Sequence, residues 1–192
     1  MKRIFEVTVS LIAIIIFSPI LILITLGIFI FDSRPILFRQ ERVGLHGSIF
    51  LLNKFRTMTV KQKSSSGSFD AGDKSRITKT GSFLRKTKLD ELPQLWNVLI
   101  GDMSLVGPRP EVQKWVDAYP ERWAKVLTVK PGITDPASIL YRNEEEMLAQ
   151  ADDPEACYRD HILPHKLALY EEYVKTRSFC GDIYLIVKTI FV

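Results

Sequence analysis

Residues 11–31 read LIAIIIFSPILILITLGIFIF, a run of 21 residues without a charged side chain, and the uncharged stretch extends back to Val7. About 20 consecutive apolar residues are enough to cross the hydrocarbon core of a bilayer. A cleaved signal peptide is a poor match, because its apolar core usually has ~7–15 residues and is followed by a small-residue cleavage site. The run therefore predicts a membrane-embedded helix near the N-terminus.

Ser18 and Pro19 lie in the middle of this run. Proline removes one backbone N–H and clashes with the carbonyl four residues earlier, and the preceding serine can bond a freed carbonyl. The dipeptide is compatible with a kinked spanning helix and with a helix that turns back. The basic residues on both sides of the run favour the helix that turns back, because Lys2-Arg3 and the basic residues from Arg34 onward should all be cytoplasmic. The predicted units are a re-entrant membrane helix over residues 1–33, broken at Ser18-Pro19, and a cytoplasmic, membrane-associated domain over residues 34–192.

The positive charge of the chain is concentrated in one segment. The whole chain has a formal net charge of +4, but residues 34–88 contain 13 Lys and Arg against 3 Asp and Glu. Basic residues beside a membrane segment attract anionic lipid headgroups, at roughly 1 kcal/mol each. The same charge suits a nucleotide diphosphate, or it only orients the membrane helix. We expect no nucleic-acid partner, because no RNA- or DNA-binding signature is present.

The stretch Leu84–Glu111, LRKTKLDELPQLWNVLIGDMSLVGPRPE, places the adjacent carboxylates Asp90 and Glu91 directly after a basic approach. One interpretation is structural: Asp90 caps a helix that has Pro93 in its first turn, and both acids suit the positive end of the helix dipole. The other is chemical: carboxylates among cations, close to lipid, indicate a phosphorylated substrate. The pattern by itself favours the cap.

Cations on both sides of this pair are candidate phosphate ligands. Pro108 and Pro110 stiffen the backbone around Arg109, which reduces its loss of entropy on binding. A guanidinium held in this way suits phosphate or a nucleobase, although an exposed arginine in a stiff loop would look the same. Lys54 and Arg56 alternate in an extended segment and should point to one side.

The rest of the chain predicts an α+β fold that is mostly helical. Short apolar segments at 35–38 and 49–52 flank a glycine turn at 44–47 and indicate strands. A helix is predicted from Thr80. Residues 61–74 are rich in Ser, Gly and Lys and are typical of a mobile loop.

Residues 111–127 have apolar side chains at helical spacing, with a predicted break at Pro120. Trp115 and Trp123 share one face, which favours an amphipathic helix at the membrane–water interface. The same residues could cover the core of the domain. The apolar run 183–191, with Lys188 as its one charge, offers the same choice.

The segment LDELPQLWNVLIGDMSLVGPRP resembles, almost without interruption, the signature of the bacterial sugar transferases, specifically the small monotopic polyprenol-phosphate phosphoglycosyl transferases. The resemblance extends over the chain from Lys2 and is strongest between Lys54 and Glu111. It implies transfer of a sugar 1-phosphate from a UDP-sugar to a polyprenyl (undecaprenyl) phosphate, with release of UMP, through a covalent aspartyl-phosphosugar intermediate. It also implies a re-entrant helix and a location on the cytoplasmic face of the bacterial inner membrane.

The resemblance assigns roles to individual residues and reverses the preference for a capping role. Asp90 is expected to be the nucleophile and Glu91 its supporting partner, and both are expected to hold the Mg²⁺ that neutralises the diphosphate. The residues expected to bind the phosphates and the nucleotide are Lys54, Arg56, Arg85, Pro108, Arg109 and Pro110.

The match weakens at residues 131–143, where many relatives continue PGITG-x-AQV-x-GR and this chain reads PGITDPASILYRN. This departure from the family pattern puts the identity of the donor sugar in doubt. We expect a UDP-N-acetylated amino or deoxy sugar, with UDP-galactose or UDP-glucose as the alternatives. The reaction would be the first membrane step of O-antigen, capsule or glycoprotein assembly, so downstream glycosyltransferases are candidate partners beside membrane lipid. A non-enzymatic, membrane-tethered basic adaptor is the competing class.

Overall fold

The computed structural model describes residues 2–32, 34–59 and 76–191, and its architecture is α+β and mostly helical, as predicted. The segment 61–74 that was predicted to form a loop lies outside the described residues. The helices are α1 (Lys2–Gly27), α2 (Lys79–Thr87), α3 (Gln94–Ile100), α4 (Gln113–Ala118), α5 (Pro120–Val126), α6 (Pro136–Leu140), α7 (Glu144–Ala149), α8 (Pro154–Cys157), α9 (Leu163–Thr176) and α10 (Phe179–Phe191). The strands are β1 (Leu37–Val43), β2 (Ile49–Phe55), β3 (Ser104–Val106) and β4 (Gly132–Thr134).

Helix α1 contains the apolar run and continues into a π-helical turn, Ile28–Asp32. Together these 31 residues are the one segment of the described chain that is long and apolar enough to cross a membrane. Pro19 cannot donate to the carbonyl of Ile15, and the hydroxyl of Ser18 donates to that carbonyl instead, at 2.8 Å. The serine thus satisfies the carbonyl that the proline leaves without a donor, and the helical assignment is continuous through Ser18-Pro19; the predicted break in direction stays a prediction. Re-entry into the membrane stays a prediction.

Both ends of this apolar segment contact the rest of the molecule. Near the start, the guanidinium of Arg3 donates to the carbonyl of Val98 at 2.7 Å. At the far end, the hydroxyl of Thr78 donates to the carboxylate of Asp32 at 3.1 Å. The same domain therefore holds both ends of the apolar segment.

Strands β1 and β2 form the predicted hairpin, antiparallel from Leu37 opposite Phe55 to Val43 opposite Ile49. Alternate side chains of a strand point to opposite faces. Phe50 and Leu52 are therefore buried in the core, whereas Ile49 and Leu51 are about half exposed on the other face. The hairpin has one face toward the core and one apolar face open.

Strands β3 and β4 pair in parallel and fix the chain that follows β3. The N–H of Gly107 donates to Thr134 at 3.1 Å, and the N–H of Gly132 donates to Pro108 at 3.0 Å. A methyl group added at either glycine would collide with the backbone opposite, so only glycine allows this approach. The close pairing sets the position of the segment 107–110.

The structure corrects the interfacial placement of Trp115 and Trp123. The predicted break is confirmed, because α4 ends at Ala118 and α5 begins at Pro120. Both tryptophans, however, are buried in the main core against α9, with 4% and 1% of their surface exposed. The indole N–H of Trp123 donates to the carbonyl of Trp115 at 3.0 Å, so its polar atom is satisfied inside the protein and no longer needs an interface.

Helix α10 is amphipathic. Leu185 and Ile186 pack against a second core cluster, while Ile183, Tyr184 and Val187 are exposed. The sequence left this run open between the membrane interface and the core; one face of α10 packs on the core, and the interfacial position of the exposed face stays a prediction.

Candidate active site

Asp90 lies in a single 3₁₀ turn, Leu89–Glu91, between α2 and α3. The turn follows Lys88, whose φ of 58° ends α2 in the left-handed conformation. The capping alternative is wrong, because α3 begins at Gln94 after Pro93 and receives no side-chain cap. The Asp90 carboxylate is 8% exposed, and its Oδ1 atom has no hydrogen-bond partner among the described residues. Burial and the neighbouring Glu91 raise the pKa of Asp90.

Glu91 is held between two cations. Its Oε1 atom accepts a bond from the ammonium of Lys54 at 2.8 Å and a second, short bond from the guanidinium of Arg109. Burial alone would raise the pKa of Glu91, but the charges of Arg109 and Lys54 and the bonds they donate lower it far below its usual range. Glu91 is therefore ionised at any working pH and aims both cations at the turn that carries Asp90.

Each cation is held in place by its element. Lys54 projects from β2, and burial lowers its pKa although Glu91 opposes the shift. Arg109 lies between two buried prolines on the segment fixed by β4, and Glu91 raises its pKa well above the usual value. The predicted function of Pro108 and Pro110 as a rigid frame for Arg109 agrees with their burial.

Arg56 and Arg85 lie away from this ion pair. The guanidinium of Arg56 is buried and donates to the backbone carbonyl of Asp32, so this arginine fastens the end of the membrane helix. Arg85 forms an ion pair with Glu145. Glu145 lines the cleft described next, which puts Arg85 at its rim. The structure thus brings together Lys54, Arg109 and the two carboxylates, and not the whole predicted set.

A candidate catalytic cleft of about 570 Å³ opens beside Glu91 and is lined by Lys88, Glu91, Leu92 and Arg109 on one side, whereas the buried Asp90 next to Glu91 does not line it. Sequence reasoning assigned no role to the side chains of the opposite wall, although it related the divergent segment 131–143 to the donor sugar. This wall is formed by side chains of α1, α6, the turn after α6, α7 and α9, among them Phe17, Ser138, Arg142, Glu144 and Lys166. The divergent segment 131–143 therefore faces the catalytic pair. Its departure from the family pattern was the one signal in the sequence that could have indicated this wall.

A network of buried polar side chains packs behind the part of the cleft wall that contains Lys166. Tyr158 donates a short bond to Glu111, which also pairs with Arg42 at 3.2 Å. Lys166 lies 3.4 Å from the Tyr158 hydroxyl and 3.0 Å from a carboxylate oxygen of Glu144. These bonds compensate the buried charges and keep Lys166 at the cleft wall.

The two carboxylates differ as candidate Mg²⁺ ligands. Mg²⁺ commonly uses one or two carboxylates together with substrate phosphates and water. Asp90 fits this chemistry, because it has a buried oxygen without a partner. Glu91 fits it poorly, because its oxygens are bonded to Lys54 and Arg109. Within the described residues no cluster of three or more His, Cys, Asp and Glu is found.

Comparisons with known proteins identify the family of the chain. The bacterial sugar transferase family matches residues 1–192. An uncharacterized sugar transferase of Bacillus subtilis is 44% identical over 143 residues, which cover 74% of this chain and 70% of the relative. A UDP-glucose:undecaprenyl-phosphate glucose-1-phosphate transferase of Caulobacter vibrioides is 33% identical over 98% of this chain and 68% of its own length. A UDP-N-acetylgalactosamine-undecaprenyl-phosphate N-acetylgalactosaminephosphotransferase of Aeromonas hydrophila is also 33% identical, over 98% of this chain and 42% of its own length. The chain belongs to the bacterial sugar transferase family.

Proposed function

We propose that the protein transfers a sugar 1-phosphate from a UDP-sugar to a polyprenyl phosphate such as undecaprenyl phosphate, and releases UMP. The observation that carries this proposal is the unpartnered, buried carboxylate oxygen of Asp90 beside a glutamate that holds two cations. Relatives named as phosphotransferases with UDP-sugars and undecaprenyl phosphate support it. A basic adaptor without activity would have no use for such a carboxylate.

The first step is attack of an Asp90 oxygen on the sugar-bearing phosphorus. One O–P bond forms, the P–O bond to UMP breaks, and UMP leaves with the bonding electrons. Asp90 accepts no hydrogen bond through Oδ1, so the attacking oxygen carries little stabilising solvation. The cations Lys54 and Arg109 are available to bind the diphosphate oxygens as charge grows on the leaving group. Mg²⁺, when bound at Asp90, would supply further neutralisation of that charge.

The second step regenerates the free enzyme. An oxygen of the polyprenyl phosphate attacks the phosphorus of the aspartyl-phosphosugar, the bond to Asp90 breaks, and a polyprenyl diphosphate-sugar leaves. Glu91 is assigned as a positioning residue rather than a proton carrier, because its pKa lies far below any working pH. The product is a substrate for downstream glycosyltransferases.

The donor is proposed to be a UDP-N-acetylated amino or deoxy sugar. Named relatives act on glucose, galactose and N-acetylgalactosamine donors, so UDP-glucose and UDP-galactose are the runners-up. The cleft wall from Ser138 to Glu145 faces the catalytic pair and is the part of the site that would contact the sugar. UMP release from a panel of UDP-sugars, measured with membrane lipid present, identifies the donor.

The domain is proposed to lie on the cytoplasmic face of the inner membrane, with α1 entering and leaving on that face. A bilayer core ~30 Å thick would separate the ends of a spanning helix. Contacts of both Arg3 and Asp32 with one domain support the one-sided arrangement. Cysteines at positions 2 and 34 should both be shielded from an impermeant reagent in intact cells. Labelling of position 2 alone would mean that the helix spans.

Replacement of Asp90 by Asn tests the mechanism. The variant should release no UMP and show no phosphosugar adduct in the mass spectrum of the intact protein, whereas the wild type incubated with donor alone should show one. Normal turnover by Asp90→Asn would overturn the assignment of the nucleophile.

A further inference from the structure

A second cavity lies beside the catalytic cleft and is also lined by α1. This hairpin groove has a volume of about 660 Å³, which is within the range of ligand pockets. Its walls are the open face of the hairpin, α1 and α3, and its main apolar lining residues are Ile14, Leu21, Ile49, Leu51, Trp96 and Ile100. Two of these belong to the apolar membrane segment, so the groove is continuous with the part of the protein that contacts lipid.

The hairpin groove and the catalytic cleft share a wall. Leu92 lines both cavities and lies two residues after Asp90. A molecule in the groove could therefore bring its end close to Asp90 without filling the catalytic cleft, which the donor must occupy. Seven charged residues line the cleft, whereas the groove has two, Arg39 and Asp102.

A cation lies in the groove. Arg39 lines it and has no hydrogen bond or ion pair with any other described residue. Arg39 lies opposite Asn53, and the next residue, Lys54, binds Glu91 from the other face of the hairpin. The free guanidinium is thus close to Lys54 along the strands but on the opposite face, where it could attract the phosphate of a lipid that enters the groove.

We propose that the hairpin groove holds the first isoprene units of the polyprenyl phosphate acceptor, with its phosphate directed past Leu92 to the aspartyl-phosphosugar. This inference rests on the proposed function, and it adds where the acceptor binds. An apolar chain with one anionic end matches an apolar groove with one unpaired cation, and its other end has a direct path into the membrane along α1. A soluble nucleotide or sugar would gain nothing from these walls.

The test uses the full chain in detergent micelles and a prenyl phosphate that carries a photoreactive diazirine on its second isoprene unit. Without donor, irradiation should label peptides that contain Ile49–Leu51 or Trp96–Ile100. Leu51→Glu should abolish the label, because a charge in an apolar groove is costly. Val187→Glu is the matched control, since Val187 lies on the exposed apolar face of α10, lines neither the groove nor the cleft, and is 47% exposed, against 49% for Leu51. Trp96→Ala, at a half-exposed site, provides a second groove variant that should fold normally.

Kinetic measurements distinguish an effect on acceptor binding from an effect on the reaction with the donor. In Leu51→Glu the KM for the prenyl phosphate should rise about tenfold or more, while the burst of UMP formed without acceptor keeps its size. Val187→Glu should change neither quantity by more than about twofold. Equal effects of the two variants would reduce the groove to general membrane contact and overturn the proposal.

Two further outcomes are decisive. Labelling outside the groove, or displacement of the label by phosphatidylglycerol as effectively as by unlabelled polyprenyl phosphate, contradicts an acceptor site. If the groove is labelled specifically but the wild type never releases UMP from any UDP-sugar, the lipid site stands and the proposed transfer reaction fails.

Discussion

Removal of the negative charge at Glu91 should weaken both the fold and donor binding. In Glu91→Gln the side chain keeps its shape but becomes neutral. Lys54 and Arg109 then lose their counter-ion, and two positive charges are left close together. Loss of one partner from a buried ion pair costs about 3–5 kcal/mol. The side chains here are 15–30% exposed, and glutamine still accepts one bond, so we expect about 2–3 kcal/mol.

The assay is thermal unfolding in detergent, with donor kinetics on the same preparations. A loss of 2–3 kcal/mol in a chain of this size lowers Tm by roughly 4–12 °C. The KM for the UDP-sugar should rise as well, because Lys54 and Arg109 are no longer held toward the diphosphate. Glu155→Gln is the matched control: Glu155 pairs with Lys114 at the surface, with side chains 38% and 51% exposed, and its loss should cost at most about 1 kcal/mol. An unchanged Tm together with an unchanged donor KM would refute the reasoning.

Three further results are expected. Arg109→Ala should raise the KM for the UDP-sugar about tenfold or more and the KM for the lipid much less, in steady-state assays that vary each substrate; equal effects would mean a structural role. The rate should fall at acid pH as Asp90 becomes protonated, at a pH above that of an ordinary aspartate, because burial and Glu91 raise its pKa. Since the active form is the carboxylate, Glu91→Gln should move this acid limb to lower pH, and a shift the other way in the pH–rate profile would contradict the coupling. Gly107→Ala should lower Tm through a loss of about 1–3 kcal/mol, because the added methyl group meets the Lys130 carbonyl, and a normal melting curve would show that the segment can move.

Local patterns determined the elements of this protein. The length of the apolar run, the glycine turn between two apolar strands and the stop at Pro120 each depend on residues close in sequence. Those interactions are short-ranged, so the helix, the hairpin and the gap between α4 and α5 were predictable. The catalytic role of Asp90 and Glu91 was also predicted, but only through the resemblance of their motif to a family, since the pattern by itself favoured a helix cap.

Only the tertiary structure decided what the charged and aromatic side chains contact. Lys54 and Arg109 converge on Glu91 from 37 residues before it and 18 residues after it, whereas Arg56, two residues from Lys54, turns to Asp32 instead. No local pattern distinguishes the two cations, because the distinction depends on which elements pack beside the hairpin. The same holds for Trp115 and Trp123, whose helical spacing suits a membrane interface and a core equally. Trp115 packs on Tyr158 and Trp123 of α5 packs beside Tyr170 of α9, which places both in the core, where the large apolar area they bury outweighs what an interface would have stabilised.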